Sequence, residues 1–183
     1  MKVLLHICCG PCSIYPIRKL RQADHDIMGF FCNSNIHPYM EYLRRQETLS
    51  QYAQQIGLKL LISDTYDMQG FLRAVVFRET ERCRYCYYHR LRAAALVAKR
   101  GKFDAFTSTL LYSKFQKHDM IRSTGEAVAA ETGIPFFYED FREGWKEGVE
   151  TSKKIGMYRQ QYCGCIYSEK ERYFRPTNHT RDT

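Results

Sequence analysis

The chain has 183 residues, with 28 Lys and Arg against 20 Asp and Glu for a formal charge of +8, and 44% of its residues are hydrophobic. That length suits one α/β domain with a buried core, and the composition is ordinary for a globular protein. No run approaches the roughly 20 apolar residues needed to cross a bilayer, and the apolar stretch ahead of Cys8 is too short for a signal peptide, so the expected location is cytoplasmic.

Lys2–Ile7 reads as a short buried strand, with Val3, Leu4, Leu5 and Ile7 apolar. Gly10-Pro11 breaks it, and Ser13–Ala23 follows as a helix. Asp26–Phe31 is the second strand. Pro38 opens a helix that runs to about Ile56 and stops at Gly57. Lys59–Ser63 is a third strand, and Met68–Phe77 carries helical apolar spacing. Tyr87–Arg100 is a strong helix ended by Gly101, and Asp104–Leu111 a fourth strand rich in Thr and Phe. Asp119–Thr132 is helical and ends before Gly133-Ile134-Pro135, and Phe136–Tyr138 is a fifth strand. Phe141–Phe174 reads as mostly helical around a turn at Cys163–Cys165.

Alternating strands and helices predict the α/β class: a single domain over residues 1–175 with a mostly parallel sheet and helices on both faces. Pro176–Thr183 is expected to be a disordered tail. In such sheets ligands bind outside the carboxyl ends of the strands. The first cysteines directly follow the first strand, so they are expected there.

Nine basic residues lie between Arg73 and Lys102 against only Glu79 and Glu81. Such a block attracts polyanions, and 14 Tyr, 11 Phe and one Trp offer faces for stacked bases. The plainer reading is a solvated helix face.

Of eight cysteines, seven fall in three short groups: Cys8, Cys9 and Cys12; Cys83 and Cys86; Cys163 and Cys165. Without a signal peptide a disulfide framework is disfavoured, and such grouping points to metal or redox chemistry. A 4Fe–4S cluster and a four-thiolate zinc site ask for the same residues, so spacing leaves both open. The surplus over four suggests a second metal or a redox thiol pair. A disulfide between Cys163 and Cys165 would close a very small ring and be readily reduced.

The motifs carry a resemblance. They are His6-Ile7-Cys8-Cys9-Gly10-Pro11-Cys12, Asn33-Ser34-Asn35-Ile36-His37-Pro38 with Glu41-Tyr42 and Arg45, and Arg82-Cys83-Arg84-Tyr85-Cys86-Tyr87 with Arg90-Leu91. Phe106-Thr107-Ser108-Thr109-Leu110-Leu111, Asp140-Phe141-Arg142, and Tyr158-Arg159-Gln160-Gln161-Tyr162-Cys163-Gly164-Cys165 complete the set. In this order they resemble the QueH family of cobalamin-independent epoxyqueuosine reductases, from Leu5 to about Phe174. Cys32 and Ser34 stand where that family usually shows Tyr and Pro.

The resemblance implies a PP-loop/HUP-like fold and reduction of the epoxide of epoxyqueuosine in the tRNA anticodon loop, the final step to queuosine. It implies a 4Fe–4S cluster on Cys8, Cys9, Cys83 and Cys86, with neither cobalamin nor ATP. Cys163 and Cys165 are then a redox-active pair or, with Cys12, ligands of an additional iron. Asn33, Asn35, Arg45, Arg82, Arg90, Asp140 and Tyr158 are the expected substrate contacts. His37 is either a proton donor or a helix cap. Neither the catalytic acid nor the electron donor is identified. The alternatives from other classes are a zinc-bound RNA-binding protein without redox activity and a protein-disulfide oxidoreductase working through Cys83 and Cys86.

Overall fold

A strand covered on both faces must be apolar on both, and Val3, Leu4 and Leu5 are fully buried. They lie in the middle of a parallel sheet in the computed structural model, which describes residues 1–63 and 65–175. The sheet is built from β1 (Lys2–His6), β2 (Asp26–Phe31), β3 (Lys59–Ile62) and β4 (Ala105–Ser108), in the order β3-β2-β1-β4. All three pairings are parallel, and Leu5 lies between Gly29 on β2 and Thr107 on β4.

The helices are α1 (Gly10–Gln22), α2 (Tyr39–Gln55), α3 (Met68–Val75), α4 (Arg82–Arg100), α5 (His118–Thr132), α6 (Trp145–Lys154) and α7 (Ile166–Tyr173). α1 packs on β2 and α2, while α4 packs on β1, β4 and α5. With right-handed crossovers, α1 and α2 cover one face of the sheet and α4 the other. The chain therefore leaves β1 and β4 in opposite directions, and a crevice opens between their carboxyl ends.

Several boundaries differ from expectation. β4 ends at Ser108, because the Ser108 hydroxyl accepts the Leu110 N–H at 3.1 Å and turns Thr109–Tyr112 into a 3-10 helix. The fifth strand reduces to a single parallel bridge between Phe106 and Phe136. Pro135 has no N–H to extend that ladder, and the Tyr138 hydroxyl instead meets His118 Nε2 at 3.0 Å. α1 begins at Gly10, taking Pro11 and Cys12 into its first turn, where a proline costs no hydrogen bond. α4 begins at Arg82, so Cys83 and Cys86 lie on the helix, one turn apart. α3 stops at Val75, since Val76 is extended and Phe77 has φ +63°. Between α6 and α7 the chain is irregular, with Gly156 and Gly164 at positive φ, where a helix was expected. The tail predicted to be disordered lies outside the described residues.

Close packing beneath the site gives one test. A Cβ on Gly144 would stand 2.0 Å from the Tyr15 ring. Gly144→Ala is expected to lower stability by about 1–3 kcal/mol, the usual cost of overpacking. A denaturant midpoint equal to that of the wild type would show that the Tyr15 ring moves aside freely.

Candidate functional site

The turn from β1 into α1 brings three thiols together. The sulfurs of Cys8, Cys9 and Cys12 all lie within 4.8 Å of one another, with those of Cys8 and Cys9 3.8 Å apart. The early start of α1 is the local cause, because the first helical turn swings Cys12 back over Cys8. Hydrogen bonding from Cys12, then from Cys9, holds Cys8 well below the usual thiol range. Burial pushes Cys9 up, and sharing with Cys8 pushes Cys12 up.

Neutral side chains aim donors at these sulfurs. Gln160 Nε2 donates to Cys9 Sγ at 2.8 Å and to Cys12 Sγ at 3.2 Å. Thr109 accepts the Cys8 N–H at 3.1 Å and points its hydroxyl at Cys8 Sγ, 3.5 Å away. Sequence reasoning gave Gln160 no role, although it stands in the motif before Cys163; its partners lie about 150 residues away.

Burial raises the Cys83, Cys86 and Cys163 thiols, and Cys165 adds an electrostatic push to each of the three, so these four cysteines lie in one neighbourhood. Asn35 Nδ2 donates to Cys86 Sγ at 3.1 Å, and Gln116 Nε2 to Cys163 Sγ at 3.1 Å. Burial pushes the Cys86 thiol up to about 12. All eight cysteines are free thiols, so Cys163 and Cys165 form no disulfide. Cys8 also pushes the Cys163 thiol up electrostatically, which links the two sets of cysteines.

The segment carrying Cys163 and Cys165 is fastened from beneath. Arg45, 1% exposed, pairs with Glu41 at 2.6 Å and donates to the carbonyls of Cys163 (2.8 Å) and Tyr162 (3.0 Å). Tyr162 Oη donates to the His37 carbonyl at 2.5 Å, and the His37 N–H to the Gly164 carbonyl at 2.7 Å. His37 Nδ1 accepts the Ile166 N–H at 3.3 Å. His37 thus ties the loop down; the α2 N-cap is Pro38. Burial, with Arg90 nearby, lowers its pKa to about 4 and keeps it neutral.

A cavity of about 510 Å³ opens over the thiols, lined among others by Cys8, Cys12, Cys163, Gln116 and Gln160. Tyr112, Trp145 and Phe115 make an aromatic wall, and Arg159 and Arg172 stand at its edge.

The other expected contacts divide by burial. Asn33, Asn35, Arg45 and Arg90 are buried and bound within the protein. Asn33 donates to the Ile7 carbonyl at 2.9 Å. Arg90 Nε donates to Asn35 Oδ1 at 2.7 Å and so orients the Asn35 amide toward Cys86. Tyr158 donates to Glu41 at 2.5 Å with Arg44 4.1 Å above its ring. Asp140 grips Arg142 and caps the turn Phe141–Gly144. Arg82 is paired with Glu171. His6, neutral in the core, bonds Ser108 Oγ at 2.8 Å and the Cys32 carbonyl at 3.3 Å.

Nor is the basic block an open stripe. Arg82, Arg84 and Arg92 pair with Glu171, Glu81 and Glu131, and Arg90 is buried. The partners Glu131 and Glu171 lie outside the window in which the charges were counted.

The sequence model of the family described as Epoxyqueuosine reductase QueH matches residues 3–171. The chain belongs to the epoxyqueuosine reductase QueH family. Among its relatives, the Dehalococcoides mccartyi family member is 35% identical over 97% of each chain. The Thermotoga maritima member is 34% identical over 93% of this chain and 91% of its own. A solved structure described as a predicted subunit of a tRNA methyltransferase from Methanocaldococcus jannaschii superposes with a TM-score of 0.58 at 11% identity. It covers 84% of this chain and 75% of that one, so the two share the parallel α/β fold. Like its family, the chain is an oxidoreductase. Among the described residues no helix is long and apolar enough to cross a membrane.

Proposed function

We propose that the chain reduces the epoxide of epoxyqueuosine in tRNA to queuosine, in the cavity above Cys8, Cys12 and Cys163. The observation that carries this is the convergence of the Cys8, Cys9 and Cys12 thiols within 4.8 Å at the crevice where such a fold binds ligands. The relatives named for this activity span nearly the whole chain.

The donor set fits a thiolate-held iron–sulfur centre. Cys83, Cys86, Cys163 and Cys165 would supply its four corners, and Cys8, Cys9 and Cys12 would hold a further iron. This division starts from the close approach of Cys8, Cys9 and Cys12 and stands beside the sequence-based one, which puts Cys8 and Cys9 with Cys83 and Cys86. When bound, such a centre supplies electrons and a Lewis-acidic iron.

A second feature supports a negatively charged centre. Arg90, 2% exposed, has no carboxylate partner among the described residues, and its Nη2 makes no hydrogen bond. Its electrostatic neighbours are Cys86, Cys8, Cys163 and Cys32. Burying an unpaired cation is costly, so this position calls for anionic sulfur beside it.

The side chains of this protein hold and shield. Gln160, Gln116, Asn35 and Thr109 each present a donor to sulfur, which favours thiolate over thiol. The wall of Tyr112, Trp145 and Phe115 offers an apolar face to a base and excludes water. Two electrons and two protons convert the epoxide to the alkene and release one water.

The test is anaerobic purification, iron and sulfide assay, and reaction with epoxide-bearing tRNA using dithionite as reductant. Brown protein that bleaches on reduction and forms queuosine is expected. Colourless protein carrying only zinc and leaving the epoxide intact would replace this reading with a zinc-bound RNA-binding one.

A further inference from the structure

We propose that Phe115 is a stacking platform for a nucleotide flanking the modified base, and that Lys114, Lys117, Arg159 and Arg172 hold the RNA backbone around it. This deepens the preceding section and rests on its reading of the substrate as RNA.

Phe115 is 85% exposed although it lines the cavity. What sets it apart from a lone exposed ring is that it continues an aromatic surface at the mouth of the cavity. Its edge-to-face contact with Trp145 (centroids 5.5 Å apart, planes at 81°) continues to Tyr112, whose ring is 5.2 Å from that of Trp145. The wall therefore runs from the thiols out to solvent and ends on an unpartnered ring.

The platform is held in place before any ligand arrives. Phe115 N–H donates to Ser113 Oγ at 3.2 Å, and Gln116 N–H to the Ser113 carbonyl at 3.3 Å. The Gln116 side chain accepts from Tyr87 Oη at 2.7 Å while its amide donates to Cys163 Sγ. Lys117 N–H reaches the same Tyr87 oxygen at 3.3 Å. The residue next to Phe115 is thus tied to a thiol that lines the same cavity, so the ring and the sulfurs share one binding surface.

Charge selects the partner. Lys114 and Lys117 are exposed on either side of the ring, and Arg159 and Arg172 line the cavity. None of these four forms an ion pair among the described residues. The one acidic lining residue, Glu171, is taken by Arg82. Open aromatic faces interleaved with free cations are what single-stranded nucleic acid requires. On α4, Arg82, Arg84 and Arg92 are paired with carboxylates and Arg90 is buried.

The experiment uses iron-loaded wild type, Phe115→Ala, Phe115→Trp and Phe77→Ala. The probe is an anticodon stem-loop RNA carrying epoxyqueuosine, with the fluorescent base aminopurine beside it. Phe77, 96% exposed, does not line the cavity and serves as the control. Wild type is expected to quench aminopurine on binding. Phe115→Ala is expected to lose the quench and to weaken RNA binding about 10-fold, within the range for one lost stack, with the loss in KM rather than kcat. Phe115→Trp restores both, and iron content stays equal throughout.

Unchanged quench and affinity in Phe115→Ala, with wild type reducing the epoxide, would overturn the platform and leave the reductase reading intact. An affinity loss in Phe77→Ala but not in Phe115→Ala would also overturn it. Wild type that binds and quenches but leaves the epoxide unreduced would remove the reductase reading while supporting the platform.

Discussion

Cys12→Ser and Cys83→Ser are expected to remove different portions of the bound iron, and both to abolish epoxide reduction. Cys12 belongs to the three-thiol group over the β1–α1 turn, whereas Cys83 lies on α4 and is pushed up by burial, with Cys165 adding to the push. If the thiols divide as grouped, Cys83→Ser loses labile sulfide and the visible absorption of a cluster, because one of four corners is gone. Cys12→Ser keeps both and loses only the further iron. Substitution of a small side chain leaves the packing of α1 in place, so the comparison reads coordination rather than folding. Full iron retention in either variant would sink the division, and identical losses in both would show one shared centre.

The second large effect is expected at Arg90, and it changes sign with the state of the thiols. In chelator-treated protein Arg90→Met removes a buried cation that has no carboxylate partner, and is expected to be neutral or to stabilise by about 1–4 kcal/mol, as for buried ions replaced by apolar groups. In iron-loaded protein the cation faces anionic sulfur, and its removal is expected to destabilise by about 3–5 kcal/mol, the cost of breaking a buried pair. Asn35 would also lose the donor that orients its amide toward Cys86. Denaturant midpoints of both variants in both states check this. The same sign in both states would mean that Arg90 does not balance the charge of the centre.

Local elements were legible because their causes are local. The apolar run of β1, the helix stops at Gly57, Gly101 and Gly133, and the order of strands all follow from spacing within a few residues. The cysteine groups were visible for the same reason. What was missed depended on contacts made by side chains far apart in sequence. Arg45 and Arg90 were expected to meet substrate, yet both are buried in service of residues elsewhere in the chain. No periodicity distinguishes an arginine that reaches solvent from one that braces a loop 117 residues away.

The parallel α/β architecture, the family and the three short cysteine groups were set by residue type and short spacing. Only the tertiary structure decided which thiols meet and which side chains donate to them. It also placed Arg159 and Arg172, unpaired among the described residues, on the cavity that Phe115 lines. Those outcomes depend on how β1, β4 and the segment between α6 and α7 converge on one crevice, and that convergence is set by long-range packing that no local pattern encodes.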